Sequence, residues 1–178
     1  MEEYSMNSST EQNLTCIEYR TAIDLLMRIP LFSVIPIEAV KVLACLGQTE
    51  NFAAGEVVFQ QGGIDDHAYC ILEGEAELLL RTEEGEQKIR GFGQGDFIGG
   101  LSLLSNMERL FSLRAQTDLC CIVFSADGFH KTLKQFPEAA AEILREIALQ
   151  VFRWEYGLLH GDAKLRAKCM TKVGATLL

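Results

Sequence analysis

Arg109 is the residue of this sequence best placed to do chemistry, because of the run that precedes it. The segment Gly91-Phe-Gly-Gln-Gly-Asp-Phe-Ile-Gly-Gly100 places five glycines in ten positions, and glycine lets a backbone approach a ligand closely or turn through positive φ. The short apolar run Leu101, Leu103, Leu104 then predicts a helical turn starting just after Gly99. A helix start exposes unpaired N–H groups, and a guanidinium arriving from the following loop would complete a small-anion pocket. The same residues also read as two consecutive turns of a β domain, with Arg109 an ordinary exposed arginine. The rest of the chain decides between these readings.

The 178 residues suit one domain with a helical appendage and are enough to bury a substantial core. Hydrophobic residues make up 48% and charged residues 23%, the balance of a soluble globular chain rather than a disordered one. A net charge of −9 disfavours nucleic acid and anionic membrane as partners, since both select clustered Lys and Arg. No stretch approaches the roughly 20 apolar residues of a membrane span, and the N-terminus lacks a signal-peptide pattern. Six cysteines are scattered without a C-x-x-C pair, which suggests reduced thiols and a cytoplasmic setting. Cys70, Cys120 and Cys121 lie in apolar runs and read as core residues. No metal site or cofactor is expected, and His67 and Cys70 read as strand positions rather than haem ligands. No Ser-His-acid, Cys-His or paired-carboxylate arrangement accompanies the glycine run, so a non-catalytic chain is expected.

Several elements must position the pocket. Residues 1–15 are polar and read as a disordered tail. Helices are expected over Cys16 to Arg28, stopped near Pro30, and over Pro36 to Leu46. From Thr49 the pattern changes to short runs rich in Val, Ile, Phe and Leu, broken every eight to twelve residues, which signals an antiparallel barrel or sandwich. Strands are expected at 49–52, 57–60, 68–73, 76–82, 87–92, 110–117 and 120–125. The loop holding Asp65 and Asp66 reads as turn chemistry, because a calcium loop needs more oxygen ligands at regular spacing. Ser125 is a plausible N-cap for a helix over Ala126 to Phe136, and Pro137 a good first position for the next. In that last helix Ala140, Leu144, Ile147, Val151, Trp154 and Leu158 follow steps of four and three, a coiled-coil seam. It predicts a homodimer through helix 138–158. A second stripe, Ala141, Ala148, Phe152 and Leu159, is left to meet the β domain. Residues 161–178 read as a hinge or tail with no helix-turn-helix domain.

This order of elements, with the lead-in Leu26-Met-Arg-Ile-Pro-Leu-Phe-Ser33, the segments Gly55-Glu-Val-Val-Phe-Gln-Gln-Gly62 and Asp66-His-Ala-Tyr-Cys-Ile-Leu-Glu-Gly74, and the cassette Gly95-Asp-Phe-Ile-Gly99 leading to Arg109 and Ala115, resembles the cyclic-nucleotide-binding domain. The resemblance covers about residues 20 to 160. It implies a mainly β fold with flanking helices: an antiparallel, jelly-roll-like β-roll with an N-terminal helical pair, a short cassette helix and two C-terminal helices. It also implies a regulatory module that binds a cyclic nucleotide or other small phosphorylated ligand in the cassette 91–115 and signals through its C-terminal helix. The backbone amides of Gly99, Gly100, Leu101 and Ser102 and the Arg109 guanidinium would clasp the phosphate. Trp154 falls where the family covers the purine, a role that competes with its place in the seam. Two positions depart from the family pattern: Gly100 stands where a glutamate binds the ribose, and Leu110 where a small residue follows the arginine. These departures favour the alternative of a ligand-free dimerisation or docking scaffold, and the resemblance to bacterial regulators that append a winged helix-turn-helix leaves a further one, the sensor half of a truncated transcription factor.

Overall fold

The computed structural model describes residues 12–13 and 16–160, with side chains for 19–153, 155 and 156. In chain order the elements are β1 (Gln12–Asn13), α1 (Cys16–Leu26), α2 (Pro30–Ser33), α3 (Ile37–Leu46), β2 (Gln48–Phe52), β3 (Val57–Phe59), β4 (His67–Glu73), β5 (Ala76–Thr82), β6 (Gly85–Phe92) and β7 (Phe97–Ile98). A 3-10 helix (Gly100–Leu103), β8 (Ser112–Ala115), β9 (Leu119–Ser125), α4 (Ala126–Gln135) and α5 (Pro137–His160) complete them. The strands form a five-stranded sheet in the order β1-β2-β9-β4-β7 and a four-stranded sheet in the order β3-β8-β5-β6, with every named pairing antiparallel.

Alternation along β4 and β9 explains the layering. Ala68, Cys70, Ile122 and Phe124 face the helices and join one buried cluster with Leu26, Phe32, Leu43 and Phe129. Their neighbours Tyr69, Ile71, Cys121 and Val123 point between the sheets, into a second cluster with Phe59, Leu78, Ile98 and Leu113. A strand covered on both faces needs no polar residues, so β4 is buried at four consecutive positions. The four-stranded sheet is covered on one face only. Its other face carries Glu77, which accepts from Arg114 at 2.7 Å and lies 3.3 Å from Lys88.

The expected roll is therefore present as two facing sheets. The strand expected at 110–117 is shorter because the residues before Ser112 belong to an irregular loop. Besides β1, β7, only two residues long, and α2, a single turn opened by Pro30, escaped the sequence. Both matter, since Phe32 of α2 meets Phe97 of β7 edge-on at 5.2 Å. Gln12 and Asn13, expected in the tail, pair with the edge of β2, which offers open backbone groups.

The last helix corrects the sequence reading. Ala139, Ile143 and Glu146 are buried against the body, with Ile147 half-buried beside them. Ala141, Ala148 and Phe152, expected to meet the β domain, are exposed, as are Ala140, Leu144 and Val151 of the seam. Starting the helix at Pro137 presents residues 139, 143 and 146 to the body, and this phase turns the second stripe outward together with the seam residues other than Ile147 that are described. The side chains of Trp154, Leu158 and Leu159 lie outside the described residues.

The β4–β5 turn gives a direct test of the layering. Gly74 has φ of +90°, and a Cβ there would run into the Asp118 backbone carbonyl. Gly74→Ala is expected to lose more than about 2 kcal/mol in urea unfolding. Gly85→Ala, at φ of +127° in open space, loses about 1 kcal/mol.

Candidate functional site

The site forms where the 3-10 helix meets the roll. Gly95 donates to the Ile71 carbonyl and Ile71 to that of Asp96, which ties the glycine turn to β4. Phe97 and Ile98 then pair with Cys70 and Tyr69, so the chain reaches Gly99 already fixed against β4. Gly99 takes φ of +88° and starts the 3-10 helix, whose Leu103 is fully buried in the helical cluster. Beyond the helix, Arg109 exchanges two backbone hydrogen bonds with the glycine loop: Gly62 donates to the Arg109 carbonyl and Arg109 to that of Gly63, each at 2.8 Å. The backbone position of Arg109 is therefore set by a short ladder between two loops.

Its side chain is held as tightly, at 3% exposure. Nη2 lies 2.7 Å and Nε 3.2 Å from Asp65 Oδ2. Nη2 also donates to the His67 carbonyl oxygen, and the guanidinium carbon stands 4.1 Å from the centroid of the Phe59 ring. A Cβ on Gly99 would come within 2.7 Å of Nη1 and 2.9 Å of the His67 carbonyl oxygen, so only glycine admits the arginine here. Sequence reasoning gave the need for glycine as ligand approach. The structure adds a second need, room for the guanidinium.

Asp65 is the counter-charge. Oδ1 accepts from the His67 backbone N–H at 3.0 Å and lies 2.9 Å from His67 Nδ1, while Oδ2 also accepts from the Tyr69 hydroxyl at 3.2 Å. Burial alone would raise the Asp65 pKa, but the His67 hydrogen bond and the charge and hydrogen bonds of Arg109 outweigh it and hold the carboxyl at about 2. His67 is raised above its ordinary value, first by its bond to Asp65 and then, against some desolvation, by the charges of Asp65, Asp66 and Glu50. Burial and the Asp65 charge push the Tyr69 phenol well upward, so it stays a hydrogen-bond donor.

Beside this network lies a cavity of about 150 Å³. Phe59, Leu78, Ile98, Leu101 and Phe111 give it apolar walls, and Ser102, Glu108 and Arg109 supply polar groups. Of the residues singled out from sequence, Gly99 and Gly100 form the turn, Leu101, Ser102 and Arg109 line the cavity, and Leu110 stands at its edge, 58% exposed. Leu110 therefore does not fill the pocket. Ser102 is buried, and its amide already donates to the Gly99 carbonyl at 3.0 Å, which removes it from the expected donor set. Gly100 and Leu101 keep the first amides of the turn, which have no acceptor within a helix of this kind. Trp154 cannot be placed relative to the cavity, since its side chain is outside the described residues.

Asp65, His67, Tyr69 and Phe59 are site residues that the sequence did not reveal. Asp65 and Arg109 are 44 positions apart, and only the register of two irregular loops brings them together. The one local signal was a pair of aspartates beside a strand start, and it reads equally well as a turn.

A two-sheet β-roll carrying a glycine turn, a one-turn helix and a buried arginine defines a ligand-sensor class of fold. Residues 49–136 match the family described as the cyclic nucleotide-binding domain. The cAMP-dependent protein kinase regulatory subunit of Emericella nidulans is 34% identical over 109 residues, covering 61% of this chain and 26% of that protein. The chain thus spans about a quarter of the length of the curated relatives it matches. Among solved structures, a cyclic nucleotide-binding-like protein from Brucella abortus is 28% identical, with a TM-score of 0.60, covering 64% of this chain and 98% of that one. The N-terminal domain of a transcriptional regulator from Streptomyces coelicolor is 27% identical, with a TM-score of 0.68, covering 73% and 94%. Among the described residues no helix is long and apolar enough to cross a membrane.

The depressed Asp65 pKa has a readable consequence. A carboxylate lowered on folding from 3.8 to about 2 stabilises the fold above pH 3.8, and that stability is lost as pH falls toward 2. The wild type is expected to lose on the order of 2 kcal/mol through this group over that window. In Asp65→Asn the acid-dependent part disappears, and the protein starts about 3 kcal/mol less stable because Arg109 stays buried without its partner. Urea unfolding at a series of pH values measures both.

Proposed function

We propose that this chain is a non-catalytic sensor module that binds a cyclic nucleotide, or a closely related phosphorylated ligand, at the cassette 91–115. The observation that carries the reading is the buried Arg109 guanidinium, seated over Gly99 beside a cavity whose far wall is the start of a one-turn helix. The amides of Gly100 and Leu101 and the arginine would meet a cyclic phosphate from two sides. A cavity of about 150 Å³ is smaller than the roughly 300 Å³ at the lower end of small-molecule pockets. The phosphate and part of the ribose would enter, and the base would rest at the rim against Leu110 and Met107, both exposed. Trp154, the chain's single tryptophan, is then the candidate to cover the base. Ligand contacts at the 3-10 helix would be felt by α4 and α5, because Leu103 is packed in the helical cluster.

Calorimetry with cyclic AMP and cyclic GMP tests this. Heat of binding is expected for the wild type and a loss of at least about a hundredfold for Arg109→Ala, as for a charged hydrogen-bonded contact removed. Gly100→Glu, which restores the ribose contact that the family resemblance implies, is expected to gain about tenfold. Absence of heat with every nucleotide would remove the proposal, and a ligand-induced change of Trp154 fluorescence supports its role over the base.

The second reading, a ligand-free dimerisation scaffold, is favoured by Asp65, which already occupies the arginine. Both readings use α5, where Leu144 at 69% exposure, Val151, Phe152 and Tyr156 form an apolar surface. Leu144→Glu is expected to convert a dimer to a monomer in sedimentation velocity without lowering thermal stability. A wild type that is monomeric at every concentration would count against the α5 dimer.

A further inference from the structure

We propose that His67 is a positioning residue for the anion clasp: its proton sets how firmly the Asp65 carboxylate holds Arg109, and so how readily an incoming anion displaces Asp65. This rests on the reading that an anion enters at Arg109.

The geometry divides one carboxylate between two cations. Asp65 Oδ2 serves Arg109 at 2.7 Å, and Oδ1 lies 2.9 Å from His67 Nδ1. The same His67 nitrogen is 3.0 Å from Asp66 Oδ1. Arg109 is almost wholly buried, whereas the His67 side chain is 42% exposed and exchanges its proton with water. The network thus has a permanently charged member inside and a switchable one at its surface.

The charged and titratable groups facing His67 are Asp65 and Asp66 from its own loop, Glu50 from β2, and Arg109 and Tyr69 through Asp65. With His67 protonated, the three carboxylates Asp65, Asp66 and Glu50 face two cations, and an arriving anion meets an excess of one negative charge. With His67 neutral, Asp65, Asp66 and Glu50 face Arg109 alone, an excess of two negative charges. The guanidinium is then the one cation beside the Asp65 carboxylate, which holds it more firmly, and the larger surplus of negative charge repels the ligand. The raised pKa of His67, held up first by its bond to Asp65, puts this change at a higher pH than for an ordinary histidine.

The sign follows from linkage. An anion bound at Arg109 raises the His67 pKa further. Affinity is therefore highest below the free-protein pKa and falls as pH rises from that value through the bound-form pKa. The expected loss of affinity across that range is about threefold.

Two measurements on the full chain test it. NMR of labelled protein follows the His67 ring and the Arg109 Nε–H from about pH 6 to about pH 9, and calorimetry with cyclic AMP follows affinity over the same range. The expected result is an Arg109 Nε–H resonance that moves with the His67 midpoint, together with an affinity that drops on the alkaline side in the wild type and is flat in His67→Gln. An Arg109 signal indifferent to the His67 titration, or the same pH profile in His67→Gln as in the wild type, overturns the proposal. If cyclic AMP gives no heat at any pH, the functional reading above falls, and sulfate becomes the probe. A sulfate-induced shift of the Arg109 resonance that grows toward acid in the wild type but not in His67→Gln supports the positioning role, and a shift independent of pH, or none, overturns it.

Discussion

A buried arginine has to be neutralised where it stands, and much of the site follows from that requirement. Taking a guanidinium out of water costs several kcal/mol, which a single contact does not recover. Arg109 is met by a carboxylate, a backbone carbonyl and an aromatic face. Each constrains another residue: Asp65 must arrive from the loop before β4, the His67 carbonyl must turn inward, and Gly99 must carry no side chain. The backbone ladder between Gly62–Gly63 and Arg109 holds the two loops at the separation this pairing requires. The cassette is therefore best regarded as an ion pair with a cavity beside it, and any anion that binds there competes with a group already in place.

The same site is anchored in both hydrophobic clusters, which gives it mechanical reach. Ile98 faces the interior between the sheets, while its neighbour Phe97 faces the helices and meets Phe32 and Phe124. Leu101 lines the cavity, and Leu103, two positions on, is buried among the helices. Alternation in a two-residue strand and a single helical turn thus connects the pocket to α2, α4 and the first turns of α5. A displacement of the 3-10 helix cannot be absorbed by one layer alone, because its side chains are divided between two.

What was legible in the sequence was local and periodic. The strands of the roll, the Ser125 cap and the helical turn after Gly99 depend on residues within a few positions of one another, and the structure has them close to where the pattern put them. Motif spacing likewise gave Arg109 its place in the cassette. Its partner was not legible, because the Asp65–Arg109 contact is decided by how two irregular loops align, and no periodicity encodes that. β7 and α2 are too short for a pattern to register, although Phe97 and Phe32 make them central to the core. The Ser102 amide was assigned to a ligand because a helix start exposes donors. The 3-10 geometry closes its first bond one residue sooner than an α-helix, and that bond uses this amide.

Helix α5 shows why two apolar stripes in a sequence do not say which one faces inward. The seam and the second stripe differ by one residue in register, a rotation of about 100°. The protein body contacts a third line, through Ala139, Ile143 and Glu146. Small Ala139 permits close approach at the first turn, and Ile143 fills the space beside it. Glu146 can then be tolerated at 8% exposure because Gln150 and Arg153 reach back to its carboxylate at 3.2 and 3.3 Å. Past that point the helix leaves the body, and Leu149, Val151, Phe152 and Tyr156 stand at 40% to 61% exposure. Its inner contacts stop near Ile147, while Leu144, Leu149, Val151, Phe152 and Tyr156 leave an apolar outer face exposed. The inner contacts tie it to the cassette through α2 and α4, so a partner seated on the outer face would be mechanically connected to the arginine.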